Sequence, residues 1–289
     1  MTKRQSYILL GAVLIVITTI ALLFVLQFKK SPNNILTVSF LNVGQGDAIF
    51  IEAPNKTQIL VDGGSDGTIL RELGEVMPFY DRSIDIVVAT HPDKDHIGGL
   101  VDVVQNFSVD QVIRSGAQSD TSTYKLFDSL ITRKDIIEHI AERGMRIYLD
   151  ERLGIYIDVL HPAYDVSRVQ DKNDASIILQ LVYGETEFLL TGDAPDRIEQ
   201  ELIAKGDGAG LRSDVLKLGH HGSKTSSDLE FLQTVSPELA IVSASCDNRY
   251  GHPHAEVTDR VERLGIRIME TCIHDTITLE SDGMRIFVQ

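Results

Sequence analysis

The segment from Thr90 to Gly99 reads Thr-His-Pro-Asp-Lys-Asp-His-Ile-Gly-Gly and directly follows the apolar run Ile84 to Ala89. The apolar run has the length and β-branched content of a buried strand. A strand that ends in two histidines and two aspartates brings to one point the nitrogen and oxygen donors that divalent cations need. We therefore predict a metal site here, with Gly98 and Gly99 allowing close backbone approach at a tight corner. A solvated acidic turn is the alternative interpretation.

Four other segments share this layout, in which an apolar run ends and polar residues follow at once. They are Ile59 to Gly64, Phe188 to Asp193, Val215 to Ser223 and Tyr250 to His254. Six of the nine histidines lie in three of these five corners: His91, His96, His220, His221, His252 and His254. Strand ends that converge are where α/β sheets build their sites, so we expect these side chains to meet.

The apolar runs fall into two series, one from Leu36 to Ile113 and one from Arg146 to Ser243, with helical stretches between the strands. The longest of these stretches, Thr123 to Arg143, ends at Gly144 and is predicted to be one helix. Two strand series with flanking helices indicate two stacked sheets covered on their outer faces. The predicted fold class is therefore a four-layer α/β arrangement.

The N-terminus carries a different signal. Tyr7 to Phe28 contains 22 positions (28 − 7 + 1) without a charge, which is long enough for a helix to cross a bilayer. It lacks the cleavage site of a signal peptide, so we expect one uncleaved transmembrane helix, with a buried core helix as the alternative. Lys3 and Arg4 precede the segment and Lys29 and Lys30 follow it, so the positive-inside count leaves its orientation open.

This signal divides the chain into three parts. We predict a membrane anchor over residues 1–30, a linker over residues 31–35 and a water-soluble domain over residues 36–289. The chain as a whole carries a net charge of −15, and without the four cations of the first 30 residues the remainder carries −15 − 4 = −19. Such a surface is poorly suited to passive binding of a phosphate backbone. A bound nucleic acid would have to be held locally, with metal ions supplying positive charge.

Cys246 and Cys272 are the two cysteines of the chain, and they form no Cys-x-x-Cys pair. They exclude a zinc ribbon. They can form one disulfide if the domain is extracytoplasmic, or remain as buried thiols, and the sequence leaves both possibilities open.

Six motifs together resemble the metallo-β-lactamase superfamily and, within it, the hydrolase domain of the ComEC competence proteins. They are Val43 to Ala48, Thr90 to Gly99, Asn173 to Ser176, Leu190 to Asp193, His220 to Ser223 and Gly251 to His254. The resemblance covers nearly everything after the predicted anchor. It implies an αββα metallo-β-lactamase sandwich with a metal site between the upper edges of the two sheets.

The resemblance also implies two divalent metal ions and their ligands. His91 and Asp93 would hold one cation, Asp95 and His96 the other, Asp193 would bridge both, and His221 would complete the second site. The superfamily commonly has histidine in place of Asp93, and its usual third histidine has no counterpart near Asn173. More oxygen donors favour Mn²⁺ or Mg²⁺ over Zn²⁺, so we expect Mn²⁺ or Zn²⁺ with a slight preference for manganese.

Other residues receive supporting roles. Asp95 is a ligand and a candidate proton acceptor, and His220 could contact a phosphoryl oxygen or protonate the leaving group, or could only pack beside the ligands. Asp62 is expected to orient a metal-binding imidazole. The remaining candidates have a structural alternative such as capping a turn, and they are Asp47, Asn173, Ser223, His252 and His254.

The predicted function is that of a membrane-anchored, metal-dependent hydrolase of phosphodiester bonds, by resemblance a nuclease linked to DNA uptake. Alternatives are a phosphodiesterase for a small molecule or a phosphorylcholine-bearing envelope polymer, and a non-catalytic DNA-binding or assembly module. A nuclease should have a basic rim, for which the candidates are Lys94, Arg114, Lys217, Lys224 and Arg249. We expect DNA uptake to require a separate channel partner, and by analogy we place the domain outside the cytoplasm.

Overall fold

The structure is a computed structural model that describes Thr18, residues 34–205 and residues 210–289. Apart from Thr18, the predicted anchor Tyr7 to Phe28 lies outside the described residues. Among the residues that are described, no helix is both long and apolar enough to cross a lipid bilayer. Leu36–Gln289 forms one compact unit.

The strands of the described ranges are short and rich in buried β-branched and aromatic residues, as buried sheets require. In chain order they are β1 Leu36–Phe40, β2 Ile49–Glu52, β3 Gln58–Val61, β4 Ser83–Ala89, β5 Ser108–Arg114, β6 Ile137–Ile140, β7 Arg146–Asp150, β8 Ile155–His161, β9 Ile178–Tyr183, β10 Thr186–Leu190, β11 Val215–Lys217, β12 Leu239–Val242, β13 Arg267–Glu270, β14 Ile277–Ser281 and β15 Ile286–Val288.

The helices lie between these strands. They are α1 Thr68–Val76, α2 Lys94–Asn106, α3 Ser122–Arg133, α4 Asp196–Ala204, α5 Leu229–Val235, α6 Ala255–Arg263 and α7 Thr271–His274, with short 3-10 turns at Lys172–Ala175 and Gly219–Gly222. Side chains cap two of them, since Thr121 accepts from the Tyr124 amide at the start of α3 and Asp228 accepts from the Phe231 amide at the start of α5.

The strands form two sheets. The first has the order β15-β14-β1-β2-β3-β4-β5-β6, and the second has the order β13-β12-β11-β10-β9-β8-β7. One buried apolar cluster fills the space between the sheets and includes Val38 and Ile51 from the first and Leu179 and Phe188 from the second. The predicted four-layer α/β arrangement is therefore confirmed for the described part of the chain.

Helices cover the outer face of each sheet. Leu73 of α1, Leu100 of α2 and Phe127 of α3 pack on the first sheet, together with Leu60 and Val87 of its strands. A matching cluster joins α4, α5 and α6 to the second sheet. Burying these faces removes apolar surface from water at roughly 25 cal/mol per Å², which is the main stabilisation of such layers.

One predicted element is wrong. The segment Thr123 to Arg143 is not a single helix, because α3 ends at Arg133 and the chain continues as β6, which pairs in parallel with β5. Asp135 adopts a left-handed φ of 53°, which a continuous helix does not allow. The apolar residues that follow are isoleucines, which favour an extended strand. His139 therefore lies on an edge strand.

The two cysteines form a disulfide. Cys246 lies after β12 and Cys272 lies in α7, and their Cα atoms are 5.3 Å apart. Of the two alternatives that the sequence leaves open, the structure has the bonded form.

Candidate metal centre

The candidate site lies where strand ends from both sheets meet. Asp62 follows β3, and the segment His91 to His96 follows β4, the parallel neighbour of β3. Asp193 follows β10, and His220 and His221 follow β11, which is parallel to β10. Parallel neighbours end at the same edge of their sheet, so each sheet delivers its polar residues at one edge.

Three buried imidazoles converge on one carboxylate oxygen, Oδ2 of Asp193. The Nε2 atom of His96 lies 3.2 Å from this oxygen, that of His221 lies 3.4 Å away and that of His91 lies 4.0 Å away. Imidazole nitrogens that surround a carboxylate in this way are the donor arrangement of a divalent metal site.

Contacts at Nδ1 orient two of these rings. Nδ1 of His96 lies 2.8 Å from Oδ2 of Asp62, and the Asp62 carboxylate also accepts from the amide and the hydroxyl of Thr90 at 2.8 and 2.7 Å. Nδ1 of His221 lies 3.3 Å from Oδ1 of Asp47. Asp62 holds the proton of His96 on Nδ1 and leaves the Nε2 lone pair free to bind a metal, whereas Asp47 lies within ion-pair distance of His221 without forming a hydrogen bond with it.

Hydroxyl groups orient the third ring. Nδ1 of His91 lies 3.1 Å from Oγ1 of Thr90 and 3.5 Å from Oγ of Ser176. Since the Thr90 hydroxyl donates to Asp62, it accepts from His91, and Nε2 of His91 keeps its lone pair. The Ser176 hydroxyl also accepts from the amide of Asp193 at 3.2 Å. Ser176 thus links His91 to the backbone of Asp193, the residue whose carboxylate the ring faces.

The unpaired polar atoms of this cluster fit a bound cation. Within residues 34–205 and 210–289, buried atoms without a hydrogen-bond partner include Nε2 of His91, His96 and His221 and Oδ1 of Asp47 and Asp193. Buried polar atoms are nearly always satisfied, so several unpaired lone pairs at one point indicate a ligand. Four sets of three donors lie within 4.8 Å of one another, and they are His91/His96/Asp193, Asp95/His96/His221, Asp47/Asp62/His96 and Asp47/Asp193/His221.

The charges of the cluster show that its carboxylates need positive partners. Burial opposes ionisation of Asp193, but His221, His96 and Lys217 hold the pKa of this carboxyl well below its usual range. Burial would lower the pKa of His221, but Asp193 and Asp47 raise it to about 9. Burial and the neighbouring His96 lower the pKa of His91 to about 3, so this ring is neutral. A metal ligand must be deprotonated, so cations would replace the protons of the charged rings.

Asp47 and Lys217 form a buried ion pair behind the ligands. Lys217 is fully buried, contacts Oδ2 of Asp47, and donates to the carbonyl of Gly192 at 3.1 Å. Its Nζ atom also lies 3.8 Å from Oδ1 of Asp193. The cationic Lys217 holds the pKa of Asp47 low against the effect of burial. The pair therefore connects the Asp47–His221 contact to the backbone beside Asp193.

Asp93 and Asp95 lie at the solvent side of the cluster. The Asp93 side chain is 47% exposed, its Oδ2 atom lies 3.8 Å from Nε2 of His91, and burial raises its pKa. Asp93 belongs to none of the four donor sets, although it lines the same cavity. Oδ2 of Asp95 lies 3.6 Å from Nε2 of His221. The structure thus places Asp93 on the His91 side of Asp193 and Asp95 on the His221 side.

His220 faces the cavity with one ring nitrogen. Its Nε2 atom lies 3.8 Å from Oδ2 of Asp193, and its Nδ1 atom lies 3.4 Å from Nδ2 of Asn173 and 3.2 Å from Oγ1 of Thr225. The amide of Asn173 donates, so Nδ1 accepts and Nε2 carries the proton. Burial lowers the pKa of His220, which keeps the ring neutral. Asn173 therefore contacts His220 and not a ligand.

The other histidines of the predicted site separate into two groups. His252 lines the cavity, and burial together with His220 and His221 lowers its pKa to about 4. His254 occupies the position before α6 without a side-chain capping hydrogen bond, and its Nδ1 atom accepts from the amide of Lys224 at 3.2 Å. Ser223, like His254, accepts from a nearby backbone amide, that of Thr225. It does not line the cavity over the metal ligands.

Backbone geometry brings the ligands together. His220 and His221 have left-handed φ values of 50° and 57°, which side chains adopt at a cost of order 1–3 kcal/mol and which recurs at functional sites. Gly98 and Gly99 lie inside α2, and a Cβ atom would lie 2.1 Å from the carbonyl oxygen of Ser65 or 2.0 Å from that of Gly63. The two glycines therefore let α2 approach the chain after β3.

The predicted basic rim is wrong for Lys217 and Arg114. Lys217 is buried, and Arg114 is paired with Asp128 and Glu138. Lys94 and Arg249 do line a cavity beside the metal centre, together with Gln45 and Tyr250. The sequence analysis also missed Gln45, Tyr250 and the role of Lys217. A lysine between apolar neighbours in a predicted buried strand was a usable signal for Lys217, because an unpaired charge is not buried.

An αββα sandwich with a His and Asp cluster between its sheet edges is the arrangement of a metallo-hydrolase fold. The family model described as the metallo-beta-lactamase superfamily matches residues 41–245 of this chain. The chain therefore belongs to the metallo-β-lactamase superfamily.

Within that superfamily the chain is similar to competence proteins. It is 31% identical to ComE operon protein 3 of Bacillus subtilis (strain 168) over 90% of this chain and 34% of the relative. It is 31% identical to the competence protein ComA of Neisseria gonorrhoeae over 83% of this chain and 31% of the relative. The chain thus spans about a third of the length of these curated relatives.

A solved structure supports the fold. Igni18, a metallo hydrolase from the hyperthermophilic archaeon Ignicoccus hospitalis KIN4/I, superposes with a TM-score of 0.54. The match has 19% sequence identity and covers 84% of this chain and 98% of Igni18.

Proposed function

We propose that this metallo-hydrolase cleaves phosphodiester bonds and acts as a nuclease on DNA in uptake or processing. The observation that carries the proposal is the convergence of three imidazole Nε2 atoms on Asp193, flanked by Asp93 and Asp95. Carboxylates on both sides of the bridging residue make an oxygen-rich donor set. Such a set favours harder cations than a site of nitrogen and sulfur donors does.

Two divalent ions, either Mn²⁺ or Zn²⁺, are the proposed cofactors. His91 and Asp93 would hold one, and Asp95, His96 and His221 would hold the other, with Asp193 between them. When bound, such ions lower the pKa of water and neutralise charge on a phosphate undergoing in-line displacement.

The side chains around the ligands supply the rest of the chemistry. Asp95 lies at the mouth of the cluster and can accept a proton from the attacking water. His220 carries its proton on Nε2, which faces the cavity, so the neutral ring can donate to a phosphoryl oxygen or to the leaving group. Asp62 and Asp47 hold the rings of His96 and His221.

Similarity to competence proteins supports DNA as the substrate. The net charge of −15 provides no general attraction for a polyanion. The attraction for DNA must therefore come from the metal centre and from the cations beside that centre.

The test is an assay of the full-length protein on linear DNA and on bis(p-nitrophenyl) phosphate, with Mn²⁺ or Zn²⁺ added after treatment with a chelator. We expect cleavage of both substrates, loss of activity in the chelator and recovery with Mn²⁺. Cleavage of the small diester but never of DNA would contradict the nuclease proposal and favour a small-molecule or envelope-polymer phosphodiesterase. Cleavage of neither substrate would favour the non-catalytic module.

We also propose that Tyr7 to Phe28 anchors the hydrolase domain in the cell membrane, with the domain outside the cytoplasm and a separate channel protein as partner. The uncharged length of the segment supports the anchor. A reporter fused to the C-terminus, active only in one compartment, measures the side of the membrane. A cytoplasmic signal contradicts the proposed orientation.

A further inference from the structure

A second cavity adjoins the metal centre. This adjoining cleft has a volume of about 470 Å³, and its walls include Gln45, Lys94, Asp247, Arg249 and Tyr250. The cavity over the metal ligands has a volume of about 200 Å³. Gln45, Asp95 and Tyr250 line both cavities. A ligand held at the metal centre can therefore extend into the adjoining cleft.

The adjoining cleft contains two cations that form no ion pair with a carboxylate in the described part of the chain. Among the described residues, neither Lys94 nor Arg249 has a carboxylate within 4.0 Å of its charged nitrogen atoms, whereas Arg114 pairs with two carboxylates and Lys217 pairs with Asp47. The carboxylates of Asp95 and Asp247 also line the adjoining cleft, but beyond 4.0 Å from these nitrogen atoms, so Lys94 and Arg249 provide a local attraction for phosphate in a chain with a net charge of −15.

The adjoining cleft also offers a surface for stacking. Tyr250 is 48% exposed, and its ring lies 5.6 Å from that of His252 at an interplanar angle of 21°. The guanidinium of Arg249 lies 4.8 Å from the Tyr250 ring centroid and donates to its hydroxyl at 2.6 Å. Aromatic and guanidinium planes are the surfaces on which unpaired bases stack.

The loop that carries Arg249 and Tyr250 is held in place before a ligand binds. Asn248 donates to the carbonyls of Ser245 and His252 at 2.7 and 2.5 Å and accepts from the amides of Tyr250 and His252 at 3.1 and 2.9 Å. The disulfide ties the start of the loop to α7. A preorganised loop loses little entropy when a ligand binds.

An unpaired donor lies at the junction of the two cavities. Gln45 accepts from the amide of Ser245 at 3.4 Å, and its Nε2 atom is buried with no hydrogen-bond partner in residues 34–205 and 210–289. A buried amide donor without a partner points to a ligand oxygen.

We propose that the adjoining cleft binds the nucleotide next to the scissile phosphodiester. Lys94 and Arg249 pair with its phosphate, Tyr250 and Arg249 stack on its base, and Gln45 donates to an oxygen at the junction. This proposal rests on the proposed nuclease function, and it makes the preferred substrate an unpaired strand with at least one nucleotide beyond the cleaved bond.

The test compares a Lys94→Ala/Arg249→Ala double variant with the full-length protein on a single-stranded DNA hexanucleotide and on bis(p-nitrophenyl) phosphate with Mn²⁺. The small diester has no flanking phosphate, so the ratio of kcat/KM for the oligonucleotide to that for the diester should fall by about 10-fold or more. Because both cations pair with one phosphate, their loss should reduce the slope of log(kcat/KM) against log[salt] by about 0.7.

A charge-matched control is Arg133→Ala/Lys134→Ala at the end of α3, where both side chains are exposed. This variant should keep the wild-type ratio and salt slope. Tyr250→Ala should lower the ratio, because it removes the ring on which the base stacks. A structural role of the loop would instead reduce activity on both substrates equally.

Equal loss on both substrates, or an unchanged ratio and slope, would overturn the adjoining cleft as a nucleotide subsite while the nuclease function stands. A wild-type protein that cleaves the diester but no DNA would overturn the nuclease function. In that case, the fluorescence anisotropy of a fluorescein-labelled hexanucleotide tests the nucleotide subsite separately by measuring binding. Equal affinity of the wild type and the double variant for the hexanucleotide would refute the subsite.

Discussion

The two sides of the metal centre are built in different ways. The first-sheet side consists of Asp62 and the segment His91 to His96, which follow two neighbouring strands. The second-sheet side consists of Asp193 after β10, Lys217 at the end of β11, and the pair His220 and His221 after β11. The first side takes four candidate ligands from six consecutive residues, and the second takes its ligands from points far apart in the chain.

The contacts that hold the ligands in place also differ between the two sides. On the first side, one carboxylate, Asp62, holds His96 and Thr90 through three hydrogen bonds. On the second side, the buried pair of Lys217 with Asp47 crosses from one sheet to the other. The first side is therefore set by local sequence, and the second depends on packing of the whole sandwich.

Asp193 joins the two sides, and removing it should have the largest effect. We expect Asp193→Asn to lower kcat/KM on a phosphodiester by more than about 100-fold, which exceeds the 10–100-fold loss typical of residues that only orient a ligand. Calorimetric titration with Mn²⁺ should show weaker binding. Asp196→Asn, at an exposed carboxylate near the start of α4, is the matched control. Full activity of Asp193→Asn would refute a bridging role.

The same contrast explains how much the sequence predicted. His91, Asp93, Asp95 and His96 lie within six residues, so residue type and spacing alone predicted a metal site, and Asp62 was recognised from its position after a strand. The two-sheet fold followed from the alternation of strands and helices, and it is confirmed.

Long-range contacts account for what the sequence did not predict. The Lys217–Asp47 pair joins residues 170 positions apart (217 − 47), so its existence depends on how the sheets pack. Lys217 was therefore assigned to a basic rim, although it is buried. The strand β6 has a similar explanation, because its pairing with β5 is a tertiary contact that local helical periodicity does not reveal.

Breaking the buried ion pair should destabilise the protein strongly. We expect Lys217→Met to lower the free energy of unfolding of the metal-free protein by about 3–5 kcal/mol, since it leaves the Asp47 carboxylate buried without its cation. Urea unfolding measures the change. The double variant Asp47→Asn/Lys217→Met should recover much of the loss, because neither charge is then buried alone.

Lys125→Met is the control for this prediction, since Lys125 is exposed and pairs only with exposed Asp120. Its effect should lie within about 0.5 kcal/mol of zero. If Lys217→Met were equally neutral, the second-sheet side would not depend on the ion pair.

The disulfide should stabilise the folded protein less than the buried ion pair does. Both of its cysteines lie beside the second sheet. The bond closes a loop with a sequence separation of 26, for which chain entropy gives about 3.5 kcal/mol as an upper limit. Cys246→Ser/Cys272→Ser should lower the midpoint of urea unfolding accordingly, and a reductant should shift the wild type to the same midpoint while leaving the double variant unchanged. A wild type insensitive to the reductant under unfolding conditions would show that the bond does not contribute.

The smallest predicted effect is on the pH dependence of stability and comes from Glu199. This residue holds the loop that follows His220 and His221. Its buried carboxyl accepts from the amides of Ser227 and Asp228 at 2.7 and 3.2 Å, and burial raises its pKa from the ordinary value of 4.5 to about 8. Between these two values the folded state binds the proton more tightly than the unfolded state, so stability falls as pH rises through about 8.

We therefore expect the wild type to lose about 1 kcal/mol relative to Glu199→Gln between pH 7 and pH 9, because the amide cannot ionise. Urea unfolding at each pH gives the difference, and Glu201→Gln on the exposed side of α4 should stay parallel to the wild type. If the Glu199→Gln curve were also parallel to the wild type, the carboxyl would ionise equally in both states. The loop would then tolerate a buried charge, and the second-sheet side would be less dependent on tight packing than the structure indicates.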